Sequence, residues 1–266
     1  MKAKINGIEM FWMQEGQGHP LVLLHGFPLT SAMWGPQLVH FSRQYRVIAP
    51  DLRGLGQTSL VSDQTITMEL MADDVAALLD HLKIARAVIA GLSMGGYVAF
   101  AFYRKYPQYV QSLVLCDTRS EADDADGKAG RYTLMEQVRE KGPGVVAELM
   151  IPKFFAPDTY RHKQEMVAQL AGLIERNNPA GIVAVAAGLA ERPDATPLLS
   201  QIKVPALVMV GKDDLLMPAE GAKKMAAQIP DWQLSVIPQA GHMSNLENPN
   251  FFNQALDTFL RSTAED

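Results

Sequence analysis

The chain has 266 residues, which suits one α/β domain with an insertion, and its 48% hydrophobic and 20% charged residues mark an ordinary globular protein. A formal net charge of −5 argues against a general binder of nucleic acid or anionic membrane, because such binding needs a basic face. A single cysteine, Cys116, rules out an internal disulfide, and no stretch of about 18 apolar residues or leader-like run is present, so the expected compartment is the cytoplasm with no membrane partner. In chain order, "GIEMFWMQEG" predicts an N-terminal strand ending in a glycine turn. "PLVLLHG" and "YRVIAPDLRG" are short apolar runs of the kind that form central parallel strands. "TMELMADDVAALLDHLK" carries apolar residues at helical spacing. "AVIAG" predicts another buried strand, followed by a helix from about Met94 to Tyr106 that Pro107 ends. "VQSLVLCD", "VPALVMVG" and "WQLSVIP" predict three more strands, the last two separated by the helical "AEGAKKMAAQI". A final helix is expected from Pro249 to Arg261.

Strands that alternate with helices predict a parallel sheet covered on both faces, hence an α/β fold. One region breaks the alternation. From Arg119 to Gln201 the periodicity is helical, in "GRYTLMEQVREKG", "GVVAELMIPKFF", "TYRHKQEMVAQLAGLIERN" and "PAGIVAVAAGLAER". The expected organisation is a core of residues 1–118 and 202–266 with a helical cap at 119–201.

Within "VIAGLSMGGYVAF", Ser93 stands where a buried strand meets an apolar helix, with Gly91 and Gly95 two residues to either side. A nucleophile must be exposed yet rigid, and a sharp strand-to-helix turn provides both at the cost of backbone strain. Small flanking residues let neighbouring backbone approach that turn. Serine needs a base. Of six histidines, His242 lies in a polar loop after the last strand, where open α/β sheets build their sites. The base needs an acid, and "VMVGKDDLLMP" offers Asp213 and Asp214, with Asp117 as a third candidate. Met94 N–H, just after the nucleophile, and Phe27 N–H, in the loop after "PLVLLHG", are the expected oxyanion donors. His25 is read as a support for that loop. Trp34, Leu134, Phe154 and Phe155 are expected pocket residues, and the apolar side chains of the inserted helices predict an uncharged acyl group. Neither a metal nor an organic cofactor is expected, since no HExxH, Cys/His cluster or nucleotide-binding glycine loop is present.

With these stretches in place, the sequence resembles the α/β-hydrolase superfamily, and within it the small bacterial esterases and lactonases, including 3-oxoadipate enol-lactonases and acyl-homoserine lactonases. The matching stretches are "LLHGFPLTSAMW", "VIAPDLRGLGQTS", "GLSMGGYVAF", "VPALVMVGKDD" and "AGHMSNLENP", in the family's order. The resemblance implies an α/β-hydrolase fold and hydrolysis of a small-molecule ester or lactone. It also implies that the acid lies three residues after the strand-ending Gly211, which selects Asp214. It implies a structural turn over Asp51–Ser59, with Leu55 where histidine is frequent. Cofactor-free haloperoxidase or perhydrolase chemistry on the same triad, or a hydrolase-fold receptor with slow turnover, are the alternatives. "DTRSEADDADGKAG", after Cys116, departs from the enol-lactonase pattern. Acyl length and oligomeric state are open at this level.

Overall fold

The apolar runs pair into one eight-stranded sheet in the computed structural model, which describes residues 1–61 and 65–263. The strands are β1 (Lys2–Ile5), β2 (Ile8–Glu15), β3 (His19–Leu24), β4 (Tyr45–Pro50), β5 (Ala87–Leu92), β6 (Val110–Cys116), β7 (Ala206–Gly211) and β8 (Trp232–Ile237). Their order across the sheet is β1-β2-β4-β3-β5-β6-β7-β8. From β4 to β8 every pairing is parallel, and β5 and β7 are buried along their whole length, as strands covered on both faces must be. The N-terminal edge differs from the expected single strand. β1 and β2 form an antiparallel hairpin across Asn6-Gly7, both at positive φ (46° and 79°), and β2 pairs antiparallel with β4. Asn-Gly is a strong two-residue hairpin signal, and it was available in "KINGIE".

Helices α1 (Gly35–Phe41), α2 (Met68–His81) and α3 (Met94–Lys105) belong to the first half of the sheet. Between β6 and β7 run α4 (Ala125–Lys141), α5 (Gly144–Phe154), α6 (Pro157–His162), α7 (Gln164–Glu175), α8 (Pro179–Glu191) and α9 (Thr196–Leu199). The chain closes with α10 (Ala219–Ala226), α11 (Ser244–Glu247) and α12 (Pro249–Ser262). α4 begins upstream of the predicted stretch because the Asp124 carboxylate caps it, accepting from Gly127 N at 2.8 Å. The run predicted as one helix around 159–177 is two, α6 and α7. Lys163 leaves helical geometry between them (φ −129°, ψ 43°), and its Nζ donates to Glu247 C=O at 2.5 Å. That partner is 84 positions away, so no local pattern could have announced it. α8 rests on the loop before α2: Ile66 N donates to Ala184 C=O at 3.0 Å. No helix among the described residues is long and apolar enough to cross a membrane.

The register decides where the site forms. Leu24 pairs with Gly91, Leu92 with Cys116, Cys116 with Met209, and Gly211 with Ile237. The C-terminal ends of five neighbouring strands therefore share one edge of the sheet. The residues just beyond them include Phe27, Ser93, Asp117, Asp214 and His242.

Candidate active site

Ser93 sits between β5 and α3 with φ 54° and ψ −115°, a strained conformation for a residue with a side chain. The turn survives because its surroundings hold it. Ser93 N donates to Cys116 C=O at 2.9 Å, and Ser93 C=O accepts from Gly96 N at 2.9 Å and from Thr118 Oγ1 at 2.8 Å. The two flanking glycines are obligatory. A Cβ at Gly91 would stand 2.1 Å from Gly95 C=O, and one at Gly95 would stand 2.1 Å from Leu24 C=O. Both contacts are far below van der Waals distance, so any side chain would open the turn.

His242 is 2% exposed, and its Nδ1 lies 2.8 Å from Asp214 Oδ2. An ionised carboxylate only accepts, so the proton of this pair belongs on Nδ1 and Nε2 is left as the acceptor. Asp214 Oδ1 is fixed separately, accepting from Leu216 N at 2.8 Å and Met217 N at 3.0 Å. Asp213, one position earlier, is exposed. The geometry therefore brings Asp214 to the histidine and leaves Asp213 outside. The ring of Phe154 packs against the imidazole, with centroids 5.7 Å apart.

Ser93 and His242 line one cavity of about 180 Å³. Phe27 and Met94 line it too, and Met94 is the first residue of α3, whose N–H has no acceptor within the helix. Met150, Leu189, Leu216 and Met217 supply its apolar wall, and Tyr97, Arg119 and Arg131 its polar one. None of the four expected pocket side chains lines this cavity. Trp34 is fully buried in a single 3-10 turn (Ser31–Trp34), against Phe252 of α12 at 6.2 Å. Phe155 meets Tyr160 edge to face, Phe154 lies against His242, and Leu134 is half-buried on α4, which packs on α8. These apolar positions are consumed by the packing of the helices themselves. Signals for the residues that do line the cavity were only partly present. Tyr97 is four positions after Ser93, one turn up the same helix face. Leu216 and Met217 follow Asp214 directly. Arg131 had no local signal.

Three buried groups support this constellation. His25 Nδ1 donates to Gly26 C=O at 2.9 Å and its Nε2 accepts from Leu52 N at 2.9 Å, so the ring braces the loop that carries Phe27. Burial pulls its pKa down, and the nearby Asp51 only partly opposes this, which suits a neutral, structural ring. Asp117 Oδ1 accepts from Gly211 N at 2.7 Å and Oδ2 from Ser244 Oγ at 2.5 Å. It thus joins the end of β7 to the histidine loop. Burial, and then the charge of Asp214, push its carboxyl well above the usual range. Glu247 accepts from Gly241 N, Ala156 N and Thr159 Oγ1, each at 2.7 Å, tying the histidine loop to the inserted helices. Among the described residues no group of three or more His, Cys, Asp or Glu side chains could hold a metal ion.

A parallel sheet with a strained serine between β5 and α3, and a His–Asp pair beyond β7 and β8, is the arrangement of an α/β hydrolase. The family model described as the alpha/beta hydrolase fold matches residues 19–249, and the chain belongs to that family. A thermophilic esterase from Thermogutta terrifontis, solved with malate bound, is similar in structure: TM-score 0.95 and 42% identity, covering 99% of this chain and 98% of that one. The enol-lactonase from Burkholderia xenovorans superposes with a TM-score of 0.91 at 27% identity, over 98% of this chain and 100% of the other. In sequence, 3-oxoadipate enol-lactonase 2 of Acinetobacter baylyi is 28% identical over 241 residues, 91% of this chain and 88% of its relative.

Proposed function

We propose that this protein is a serine hydrolase that cleaves carboxylic esters or lactones through an acyl-enzyme. Relatives named as esterases and enol-lactonases support the reaction class. The observation that carries the mechanism is the 2.8 Å Asp214–His242 contact opening onto the cavity that also holds Ser93. In this reading Ser93 Oγ attacks the carbonyl carbon while His242 Nε2 takes its proton. Asp214 stabilises the imidazolium, and its second oxygen is pinned by two backbone N–H groups, so the carboxylate keeps its aim. The oxyanion accepts from the N–H groups of Phe27 and Met94, both of which line the cavity. His242 then returns its proton to the departing alkoxide. A water, deprotonated by the same nitrogen, releases the acid and restores Ser93. Residues 119–201 act as the cap that excludes bulk water, contributing Met150 and Leu189 to the cavity wall. The modest cavity favours short acyl groups.

The test is a set of three variants assayed on short-chain esters. Ser93→Ala lowers kcat by about 10⁴ to 10⁶, and Asp214→Asn by about 10⁴. Asp213→Asn, on an exposed side chain, stays within a few-fold of wild type. Equal losses at Asp213 and Asp214 would contradict the reading.

A further inference from the structure

The polar part of the cavity wall is built from three distant pieces of chain. Tyr97 comes from α3, Arg119 from the segment after β6, and Arg131 from α4. Both arginines are gripped by one carboxylate. Arg119 Nη2 donates to Asp123 Oδ1 at 2.5 Å, and Arg131 Nε donates to Asp123 Oδ2 at 3.1 Å. A third guanidinium joins them: Arg192 Nη2 donates to Asp123 Oδ1 at 3.0 Å. Arg192 is otherwise committed, lying 3.9 Å over the Tyr97 ring and donating to Glu121 C=O. Burial raises the Asp123 carboxyl's pKa, but the charges and hydrogen bonds of the three arginines bring it below the ordinary range, so Asp123 is ionised.

The charges do not balance. Three cations share one carboxylate, and no other carboxylate among the described residues stands within 4.0 Å of them. The hydrogen bonds do not close either. Tyr97 Oη, Arg119 Nε and Arg192 Nε are buried without a hydrogen bond of good geometry among the described residues, although Tyr97 lies close enough to interact with the Arg119 guanidinium, and Tyr97 as a whole is 5% exposed. The Arg119 and Arg131 side chains keep 40% and 22% of their surface exposed, so water meets part of the excess charge, but the donors buried without a partner are costly to leave open. What would complete this cluster is an anionic acceptor with two oxygens. Guanidinium forks match a carboxylate in that way, and do so strongly where water is excluded.

We propose that Tyr97, Arg119 and Arg131 form a carboxylate-binding subsite beside the nucleophile, so that the preferred substrates are short esters or lactones bearing a free carboxylate. The proposal rests on the serine-hydrolase reading and narrows it. It reverses the expectation of an uncharged acyl group. The apolar side chains that motivated that expectation are spent on helix packing, whereas two of the cap's basic residues reach the cavity. Asp123 holds both guanidiniums in place before substrate arrives, which reduces the ordering cost of binding. With a cavity of only about 180 Å³, few carbons can separate the carboxylate from the ester carbonyl. Half-esters of short dicarboxylic acids, and lactones with a carboxylate arm, fit that description.

The test compares matched esters. Ethyl hydrogen succinate and ethyl butanoate place the charge on the acyl side; acetoxyacetate and ethyl acetate place it on the alcohol side. The expected result is a kcat/KM preference of at least tenfold, about 1.4 kcal/mol, for the anionic member of one pair. The pair that shows it tells which part of the ester carries the carboxylate. Arg131→Gln should shrink that ratio about tenfold, Arg131→Lys should restore part of it, and succinate should inhibit the wild type competitively and the Gln variant less. Preference for the neutral member in both pairs, or an Arg131→Gln variant with the wild-type ratio, would overturn the subsite while leaving the hydrolase standing. Absence of turnover on all four esters, together with no reaction of Ser93 with a fluorophosphonate, would instead overturn the hydrolase reading beneath it.

Discussion

Asp117, beside the candidate site, ties two of its loops together. It sits at the end of β6 with φ 45°, and its two oxygens join Gly211 to Ser244. Its raised pKa means that the folded protein binds this proton more tightly than the unfolded chain does. The stabilisation is therefore complete below the unfolded carboxylate value of about 3.9 and is lost as pH rises through the folded value. An asparagine can still accept from Gly211 N and can donate to Ser244 Oγ, with nothing to ionise. The melting temperature of Asp117→Asn should accordingly gain on that of wild type as pH rises from about 4 to about 8. Thermal melts across that range check this, and a gap that moved the other way would show that the charged form is the one the fold holds. At this scale the sequence was informative where chemistry depends on chain neighbours. Ser93 between its glycines, His242 in its loop and Asp214 three positions after Gly211 are candidates legible from local pattern and resemblance, and the structure brings the three together. Arg131 is not legible in that way. Its place in the cavity wall depends on a contact with Asp123 and on which face of α4 meets the cavity, and both are settled by tertiary packing.

Among the elements, the strands were the most legible, because a strand buried on both faces leaves an uninterrupted apolar run. The inserted helices were legible as helices but not in their pairing or their inward faces. α8 makes the point. Its sequence, "PAGIVAVAAGLAE", is apolar nearly all round, so periodicity does not single out one face. What fixes its seat is Gly188, where a Cβ would stand 1.8 Å from Ile66 C=O. Gly188→Ala should therefore destabilise the protein by roughly 1–3 kcal/mol through overpacking, even though alanine is the better helix former by about 1 kcal/mol. Denaturant titration measures the difference. A variant as stable as wild type, or more so, would mean that α8 does not rest on the loop before α2 as described. The break at Lys163 and the hairpin at Asn6-Gly7 mark the two ways in which element prediction fell short. The first has a long-range cause that no window contains, and the second has a local one, the Asn-Gly pair inside an otherwise extended run.

Taken whole, the molecule assembles its site from segments that begin near residue 25 and end near residue 242, and the parallel register is what brings them together. Each strand contributes one functional turn to the same sheet edge. The inserted helices add Met150, Leu189 and Arg131 to the cavity wall, while Glu247 and Asn177 bind them to the core loops. Asn177 Nδ2 donates to Pro28 C=O at 2.8 Å and its Oδ1 accepts from Gly56 N at 2.7 Å, so an inserted residue braces the loop carrying Phe27. Net charge is a poor guide to such a site. The chain is acidic overall, yet its cavity wall holds a cationic cluster, and over the short distances of a binding site the local groups outweigh the average. Fold class, and the residues proposed for the chemistry, follow from patterns the chain repeats or keeps local. The proposed carboxylate subsite draws on the inserted helices, the region whose packing has no repeat to read.

The proposed hydrolysis requires Ser93 to be the nucleophile, and covalent labelling addresses that directly. Wild-type protein treated with a fluorophosphonate should gain the mass of one adduct, and peptide mapping should place it on Ser93. Ser93→Ala should gain none, and preincubation with a slowly hydrolysed ester should slow labelling of the wild type. An adduct on another serine, such as the Asp51-bound Ser31, or an adduct that persists in Ser93→Ala, would contradict it.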